Sequence, residues 1–184
     1  MSINFTARFL TNATITKRIT DGVYLPTQVS IVELDKNDSG DMDAVFDASN
    51  MWKKNGGLYA QKIFTEMGKL YEYADTKQER FIALTEQNAD YDKLKPQYIL
   101  GLTDLLTDNY DQNEILWFET NPKIVFAKGE KPYKNVGKSL INYIKTQCRE
   151  EGIYLKSADS AIGFYKKQGF KQTYDNENEL KWDA

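Results

Sequence analysis

The segment Lys131–Leu140, with the sequence KPYKNVGKSL, combines a glycine-bearing turn with the predicted start of an amphipathic helix. The first backbone N–H groups of a helix have no partner within the helix and lie at the positive end of its dipole. From Lys123 to Arg149 the chain has seven basic residues and one acidic residue, in a protein of net charge −3. These features predict a polyphosphate site. The alternative is that Gly137 only permits a tight turn and that the lysines form a solvated surface.

One phosphate motif matches this segment only in part. Gly137-Lys138-Ser139 corresponds to the end of the P-loop motif G-x-x-x-x-G-K-[ST]. The first glycine of that motif would fall on Pro132, whose ring prevents the positive φ that a glycine can adopt. The segment also follows several predicted strands, whereas a P-loop lies within a first β–α unit, between its strand and its helix. An NTP-binding protein is therefore kept only as an alternative.

A second motif fits the wider context of the chain. Lys134-x-x-Gly137-x-Ser139 resembles the [Q/R]-x-x-G-x-[G/A] pyrophosphate loop of the GNAT superfamily, the acyl-CoA-dependent N-acyltransferases. Residues 161–170, with the sequence AIGFYKKQGF, resemble the A-x-x-F-Y-x-x-x-G-F signature of the same family. The order of predicted elements from Gln28 to the C terminus is also similar to that of the family.

The resemblance implies an N-acetyltransferase that transfers an acetyl group from acetyl-CoA directly to a primary amine, with acetyl-CoA as cosubstrate and no metal. The CoA pyrophosphate would be bound by Lys134, Asn135, Val136, Gly137, Lys138 and Ser139. Lys134 and Ser139 depart from the family pattern, and Ala158 occupies a position where the family often has asparagine. These departures keep an alternative open, a GNAT-fold module that binds CoA or a protein partner without efficient catalysis.

Two candidate catalytic residues follow from the resemblance. Tyr165 matches the family tyrosine that gives a proton to the departing CoA sulfur, and its alternative role is that of a core aromatic residue. Glu119 lies on the strand where the family often places its general base, and burial beside Trp117 and Phe118 would raise the pKa of such a carboxyl. The alternative for Glu119 is an outward-facing carboxylate. Glu86, on a neighbouring predicted strand, is a further candidate base.

The distribution of acidic residues is the one feature of the sequence that bears on the amine acceptor. Residues 86–119 contain eight acidic and two basic residues, and residues 33–50 contain six acidic residues and one basic residue. An acidic surface would attract a cationic small molecule or a protein amine. The alternative is that these side chains are ordinary solvated loop charges.

The composition excludes several classes of site. The chain of 184 residues has no histidine, which rules out Ser-His-Asp and Cys-His catalysis and histidine-ligated metals. Cys148 is the only cysteine, so there is no internal disulfide, and its place on an apolar helical face predicts a core residue. The chain as a whole lacks the excess of basic residues that is typical of nucleic-acid-binding proteins, and it has no apolar run long enough for a membrane helix. We expect a cytoplasmic protein without nucleic-acid or membrane partners, and leave a homodimer open.

The elements that would carry these residues form an α+β fold. The patterns predict a strand at 28–34, a helix that Asp38 or Ser39 caps, and a second helix with its apolar face at Ile63, Phe64, Met67, Leu70 and Tyr71. Three strands at 80–87, 97–107 and 114–120, a helix at 136–150, a strand at 153–156, a helix at 159–168, a strand from Phe170 and a tail strand at 178–183 complete the prediction. This order predicts a GNAT-like fold, in which helices flank a mixed, mainly antiparallel sheet. Residues 1–27 are predicted as a β-rich N-terminal extension, in which Ile3, Phe5, Ala7 and Phe9 alternate as in a strand and Asp21-Gly22 forms a turn. Residues 28–184 are predicted as the acyltransferase domain.

Overall fold

The computed structural model describes residues 7–69, 77–88, 93–108, 113–148, 151–173 and 176–184. Within these ranges the strands are β1 (Arg8–Thr20), β2 (Val23–Leu34), β3 (Lys77–Thr85), β4 (Ile99–Asp108), β5 (Asn113–Thr120), β6 (Tyr133–Lys134), β7 (Ile153–Lys156), β8 (Lys171–Gln172) and β9 (Glu179–Trp182). The helices are α1 (Ser39–Lys53), α2 (Ala60–Met67), α3 (Pro122–Val125), α4 (Val136–Gln147) and α5 (Ile162–Lys167). Two 3₁₀ turns, Pro96–Tyr98 and Asp159–Ala161, precede β4 and α5.

All of these strands belong to one sheet in the order β6-β1-β2-β3-β4-β5-β7-β9-β8. Neighbouring strands run antiparallel, with the exception of β5 and β7, which are parallel. A parallel pair needs a crossover connection, and α4 lies in the chain between these two strands. The mixed, mainly antiparallel sheet with flanking helices confirms the predicted α+β class.

Two apolar cores lie on opposite faces of the sheet. One contains the buried residues of α4 together with Tyr165 of α5, and the other contains those of α1 and α2. The helix patterns explain this division, because α4 buries Val136, Leu140, Ile141 and Ile144 along a single stripe. Cys148 is fully buried in the same core, which confirms its prediction as a core residue. Burial raises the pKa of its thiol to about 12, so the thiol stays protonated at neutral pH.

The predicted face of the first helix is confirmed in part. Asp38 caps α1 as predicted, since its Oδ1 accepts a hydrogen bond from the N–H of Asp41 at 2.9 Å. The helical spacing of Met42, Val45, Phe46, Ser49 and Trp52 predicts one buried face, and Val45, Ser49 and Trp52 are buried. Phe46 is 45% exposed, and the small residues Ala44 and Ala48 complete the buried stripe, where they allow the helix to approach the sheet closely. The last two residues predicted for the second helix, Leu70 and Tyr71, lie outside the described residues.

The N-terminal segment pairs into the sheet as a long hairpin. β1 and β2 are antiparallel along almost their whole length, and a turn at Asp21-Gly22 joins them as predicted. The boundary predicted between residues 27 and 28 falls within β2, and the division into an extension and a domain stays a prediction. The predicted strand residues Ile3 and Phe5 lie outside the described residues. Within the described part of the chain, no helix combines the length and apolar character that a bilayer crossing requires.

Candidate functional site

A cleft opens where β5 and β7 separate. The two strands pair only over Asn113–Ile115 and Ile153–Leu155, although β5 continues to Thr120. Pairing with β4 passes directly from Ile115 to Trp117, so Leu116 is an extra residue in β5. Such a bulge bends its strand and increases the local twist. It lies immediately after the last pair with β7, and we attribute the separation of the two strands to it.

The cleft has a volume of about 770 Å³ and mixed walls. Its apolar part includes Phe118 of β5, and Tyr165 of α5 lies along it. Towards α2 the lining includes Tyr59 and Trp117, whose rings stack with centroids 5.7 Å apart. A pocket of this size, largely apolar with a few polar groups, suits a small-molecule substrate.

The start of α4 has the features of an anion site. Asn135 adopts a left-handed conformation with φ of 67°, which turns the chain sharply from β6 into the helix. The first amide of the helix to pair internally is that of Ser139, which donates to the carbonyl of Asn135 at 2.9 Å. The N–H groups of Val136, Gly137 and Lys138 precede this bond and therefore have no helical partner. Three adjacent donors at the positive end of a 12-residue helix favour an anion.

The polar side chains of this loop differ in their freedom. The ammonium group of Lys134 lies 3.4 Å from the ring centroid of Tyr24, so a cation–π contact holds it. The hydroxyl of Ser139 donates to the carbonyl of Thr14 at 2.9 Å, which ties the helix to β1. Lys138 is exposed and forms no ion pair among the described residues. Of the two predicted lysines, Lys138 is therefore the one free to meet an anion.

Gly137 is required by packing around the helix start. A Cβ atom at this position would lie 3.1 Å from Cζ of Phe164 and 3.3 Å from Cγ2 of Thr120. Both contacts are tighter than ordinary van der Waals distances, so a side chain would push α4 away from the end of β5 and from α5. The glycine thus places the free amides of α4 beside the open end of β5.

Tyr165 has an environment that keeps its phenol protonated. Its side chain is only 6% exposed and packs edge-on against Phe164 and Phe170. Burial, with a smaller contribution from Tyr59, raises the pKa of Tyr165 far above its ordinary value. Within the described part of the chain its hydroxyl has no hydrogen-bond partner, so its proton is free for a ligand in the cleft.

Glu119 is occupied in a way that the sequence did not predict. Its carboxylate accepts hydrogen bonds from the N–H groups of Leu58, Tyr59 and Ala60 at 2.9, 3.1 and 2.7 Å. These amides lie at the start of α2, so Glu119 caps that helix from the neighbouring strand. Its role as a general base stays a prediction. To accept a proton from an amine, this carboxylate would first have to give up hydrogen bonds to the start of α2.

Glu86 and Ala158 lie in different surroundings. The carboxylate of Glu86 accepts hydrogen bonds from the ammonium of Lys17 at 2.8 Å and from the hydroxyl of Tyr133 at 2.5 Å. These partners belong to β1 and β6, and Glu86 is not among the residues that line the cleft. Ala158 does line the cleft, where its methyl group offers no hydrogen bond to a ligand.

Asp104 is a buried ionisable residue next to the cleft-lining Trp117 that sequence reasoning missed. It lies in the middle of β4, is 0% exposed, and neither carboxyl oxygen has a hydrogen-bond partner. Burial, and to a smaller extent the charges of Glu79, Glu66 and Glu114, raise its pKa to about 8, while Lys69 opposes this shift. The available signal was a lone acidic residue within the apolar run ILGLTDLL. In the described residues, no three His, Cys, Asp or Glu side chains are grouped so as to hold a metal ion.

Comparisons with known proteins give structural matches only. No family model matches the sequence, and no curated protein matches it. Ard1 from Thermoplasma volcanium is 17% identical, with a TM-score of 0.50 over 83% of this chain and 93% of its own. An acyl-CoA N-acyltransferase from Klebsiella pneumoniae subsp. pneumoniae gives 12% identity and a TM-score of 0.47, covering 83% of this chain and 94% of its own. A mutant AtaT toxin, bound to the C-terminus of the antitoxin AtaR and to acetyl-CoA, gives 14% identity and a TM-score of 0.44, covering 84% and 92%. The similarity to Ard1 shows a common fold.

The cap on α2 predicts a structural effect of Glu119. Glu119→Gln replaces one accepting oxygen by an NH₂ group, so in either orientation of the amide at least one of the N–H groups of Leu58, Tyr59 and Ala60 loses its acceptor. We expect the free energy of unfolding to fall by about 1–3 kcal/mol, the usual cost of an unsatisfied partly buried donor. Chemical denaturation measures the change, with the exposed Glu177→Gln as control. Equal stability of the two variants would show that the cap is unimportant.

The buried carboxyl predicts a pH dependence of stability. Folding raises the pKa of Asp104 from 3.8 to about 8, so the folded state holds its proton while the unfolded state releases it. Stability is therefore lost as the pH rises between these two values, by up to about 1.4 kcal/mol per pH unit. Asp104→Asn cannot ionise and should lack this loss.

Denaturation of the wild type and of Asp104→Asn at pH 5, 6, 7 and 8 measures the difference between them. The variant should gain on the wild type at each step, whatever constant offset the amide introduces. A difference that stays constant from pH 5 to pH 8 would show that Asp104 does not titrate in this range.

Proposed function

Because the chain has the GNAT fold, we propose that it is an N-acetyltransferase that uses acetyl-CoA and a primary amine. The observation that carries the proposal is the arrangement of two features along β5. The free amides at the start of α4 lie beside Thr120 at the end of β5, and Tyr165, whose hydroxyl stays protonated, lines the cleft along residues 114–118 of the same strand. One extended ligand along β5 would therefore have its polyphosphate at the helix start and its leaving group at Tyr165.

The anion site fits the CoA pyrophosphate. The N–H groups of Val136, Gly137 and Lys138 would donate to its oxygens, and the ammonium of Lys138 would add a charge. Beyond Ile115 the edge of β5 has no strand partner on the side of β7 among the described residues. Unpaired strand edges bind extended chains that carry amides, and the pantetheine arm of CoA is such a chain.

The chemistry requires proton movement at two atoms. The amine nitrogen attacks the thioester carbonyl carbon, a C–N bond forms, the C–S bond breaks, and the nitrogen loses a proton. Tyr165 would donate its hydroxyl proton to the departing sulfur, which leaves as a thiol, and would regain a proton from solvent. The low exposure of Tyr165 keeps its hydroxyl in the protonated form that a donor needs. Glu119 would act as a base only after release from the start of α2.

One observation favours the second candidate function, a CoA-binding module without efficient catalysis. The carboxylate predicted as base is bound by three amides, and Ala158 offers no hydrogen bond. Catalysis then depends on an amine that reaches the cleft already neutral. Tight CoA binding with no acetyl transfer to any amine would support this second function against the first.

The anion site predicts an effect of Lys138 on binding. Lys138→Gln removes one exposed charge without disturbing the packing of α4, whereas a side chain at Gly137 would change the fold and the site together. We expect the affinity for acetyl-CoA to fall by about 3- to 10-fold, as for the loss of a charge-assisted hydrogen bond. Calorimetry measures the affinity, and Lys62→Gln, on the helix α2 across the sheet, is the control. Equal affinities of both variants would place the pyrophosphate elsewhere.

The donor role predicts an effect of Tyr165 on turnover. Tyr165→Phe keeps the ring and its packing but removes the proton, so the maximal rate should fall by about 10- to 10⁴-fold. Acetyl-CoA affinity should change little, because the interaction with the sulfur develops as the bond breaks. Release of free thiol in single-acceptor assays measures the rate.

Tyr98→Phe is the matched control, since Tyr98 is 40% exposed in a 3₁₀ turn away from the cleft lining. A Tyr165→Phe variant that keeps full activity would show that Tyr165 is only a core aromatic residue. Circular dichroism shows whether the variant is folded. A folded variant that keeps its acetyl-CoA affinity but turns over slowly has lost catalysis and not structure.

A further inference from the structure

The segment that leads into α4, residues 130–139, lies against the hairpin of β1 and β2, and we name it the anion loop. Its strand β6 pairs with β1 over only two residues. Before β6, the N–H of Arg18 donates to the carbonyl of Pro132 at 2.8 Å, and the hydroxyl of Tyr24 donates to the carbonyl of Lys131 at 3.0 Å. A two-residue strand at the edge of a sheet has few backbone hydrogen bonds of its own, so further contacts decide where the anion loop lies.

Glu86 connects this edge to the middle of the sheet. It directly follows β3, and β2 and β1 lie between β3 and β6. Its N–H donates to the carbonyl of Tyr98 at 3.0 Å, which fixes its own backbone. Its carboxylate accepts from the ammonium of Lys17 on β1 and from the hydroxyl of Tyr133 on β6. One carboxylate therefore joins the end of β3 to both β1 and β6, on the face where Tyr133 packs against the core of α4.

The contacts of Glu86 are sheltered and use both of its oxygens. Oε1 has Lys17 as its donor and Oε2 has Tyr133, and the side chain of Glu86 is 15% exposed. Burial, and then the carboxylate of Glu86, hold the pKa of Tyr133 far above its ordinary value, so its phenol remains a hydrogen-bond donor. The ammonium of Lys17 also lies 5.7 Å from the ring centroid of Tyr133. These three side chains form one connected network.

The network ends close to the free amides of α4. Tyr133 lies two residues before Asn135, whose left-handed conformation turns the chain into the helix. The N–H groups of Val136, Gly137 and Lys138 follow at once, so the position of β6 sets the position of these donors. Donors that are held in place before an anion arrives bind it more tightly, because less conformational freedom is lost on binding.

We propose that Glu86 is a positioning residue for the CoA pyrophosphate, because through Tyr133 and Lys17 it holds the anion loop against the hairpin and keeps the amides at the start of α4 in place. This inference rests on the proposed function for the identity of the anion. The positioning itself belongs to the free protein. It gives this carboxylate a role other than that of the base for which the sequence made it a candidate.

Two titrations of the free protein test the positioning role. Sodium pyrophosphate is followed by the NMR amide signals of residues 136–138, and CoA is followed by calorimetry. Glu86→Gln leaves one accepting oxygen for two donors, so the network is broken at one of them. We expect both ligands to bind about 3- to 10-fold more weakly, as for the loss of one hydrogen bond.

Glu33→Gln is the matched control for loss of stability. The side chain of Glu33 is also 15% exposed, and it accepts from Arg8 on β1 and from Arg80 on β3, far from the hairpin turn and the anion loop. This variant should lower the free energy of unfolding and leave both affinities unchanged. If only the fold mattered, Glu33→Gln and Glu86→Gln would weaken binding alike.

Tyr133→Phe removes the same hydrogen bond from its other side and keeps the ring in the core. Alone it should weaken binding as Glu86→Gln does, and it carries the test if Glu86→Gln does not fold. The double variant should bind more tightly than the product of the two single effects predicts, since both changes remove one shared bond.

Turnover separates positioning of the pyrophosphate from a general defect of the site. With an accepted amine, Glu86→Gln should raise the KM for acetyl-CoA about 3- to 10-fold and leave kcat at saturation unchanged, because Tyr165 is untouched. S-acetylpantetheine has the same thioester and no pyrophosphate. Its kcat/KM should therefore be equal in Glu86→Gln and in the wild type.

The outcomes distinguish this inference from the proposed function. Unchanged affinities in Glu86→Gln, an equal loss in Glu33→Gln, or an equal loss of turnover with S-acetylpantetheine would each overturn the inference and leave the acetyltransferase intact. Amide signals of residues 136–138 that pyrophosphate does not shift in the wild type would overturn it as well. Weaker pyrophosphate binding in Glu86→Gln, in a protein that transfers no acetyl group to any amine, would support the positioning role and contradict the proposed function.

Discussion

The site depends on one constraint, the short parallel pairing between β5 and β7. Three residues of each strand pair, and the extra residue Leu116 then bends β5 away. If pairing continued to Thr120, the cleft would close and the polar edge of β5 would be satisfied within the sheet. The crossover through α4 makes the pair parallel, and the packing of Gly137 against Thr120 brings the free amides of that helix to the open end. The bulge at Leu116 therefore opens the cleft, and the crossover through α4 brings the anion site to the end of the same strand.

Glu119 links the two faces of this arrangement. Its carboxylate lies on β5 but accepts three hydrogen bonds from the start of α2, and so it holds the helix against the strand that forms the cleft wall. The same contact places Tyr59 where its ring stacks on Trp117. A carboxylate in the position of a base can thus serve the site by positioning its aromatic lining. Burial and spacing in a sequence do not distinguish these two roles, because both need a carboxylate at that position.

The buried carboxyl group of Asp104 lowers the stability of the sheet interior. Asp104 occupies a position where an apolar residue would pack without cost, and its neighbours Glu66, Glu79 and Glu114 increase that cost. Elsewhere in the molecule buried carboxylates have donors. Asp41, for example, accepts hydrogen bonds from the N–H groups of Ala7 and Asp35. Asp104 has no such donor within the described residues, and its raised pKa lets it stay neutral in the interior of the sheet.

The order of elements and the α+β class could be predicted from the sequence alone, because hydrophobic periodicity and turn residues are local properties. The anion site at the start of α4 was read from the same kind of local signal and stays a prediction. Local patterning also placed β7 at Ile153–Lys156, its observed bounds. It did not determine that Phe46 is exposed, that Lys134 is held by Tyr24, or that Glu119 caps α2. Each of these depends on residues distant in the chain that meet only when the sheet forms. The burial of Asp104 was decided in the same way, since strand register alone places it between Phe81 of β3 and Trp117 of β5.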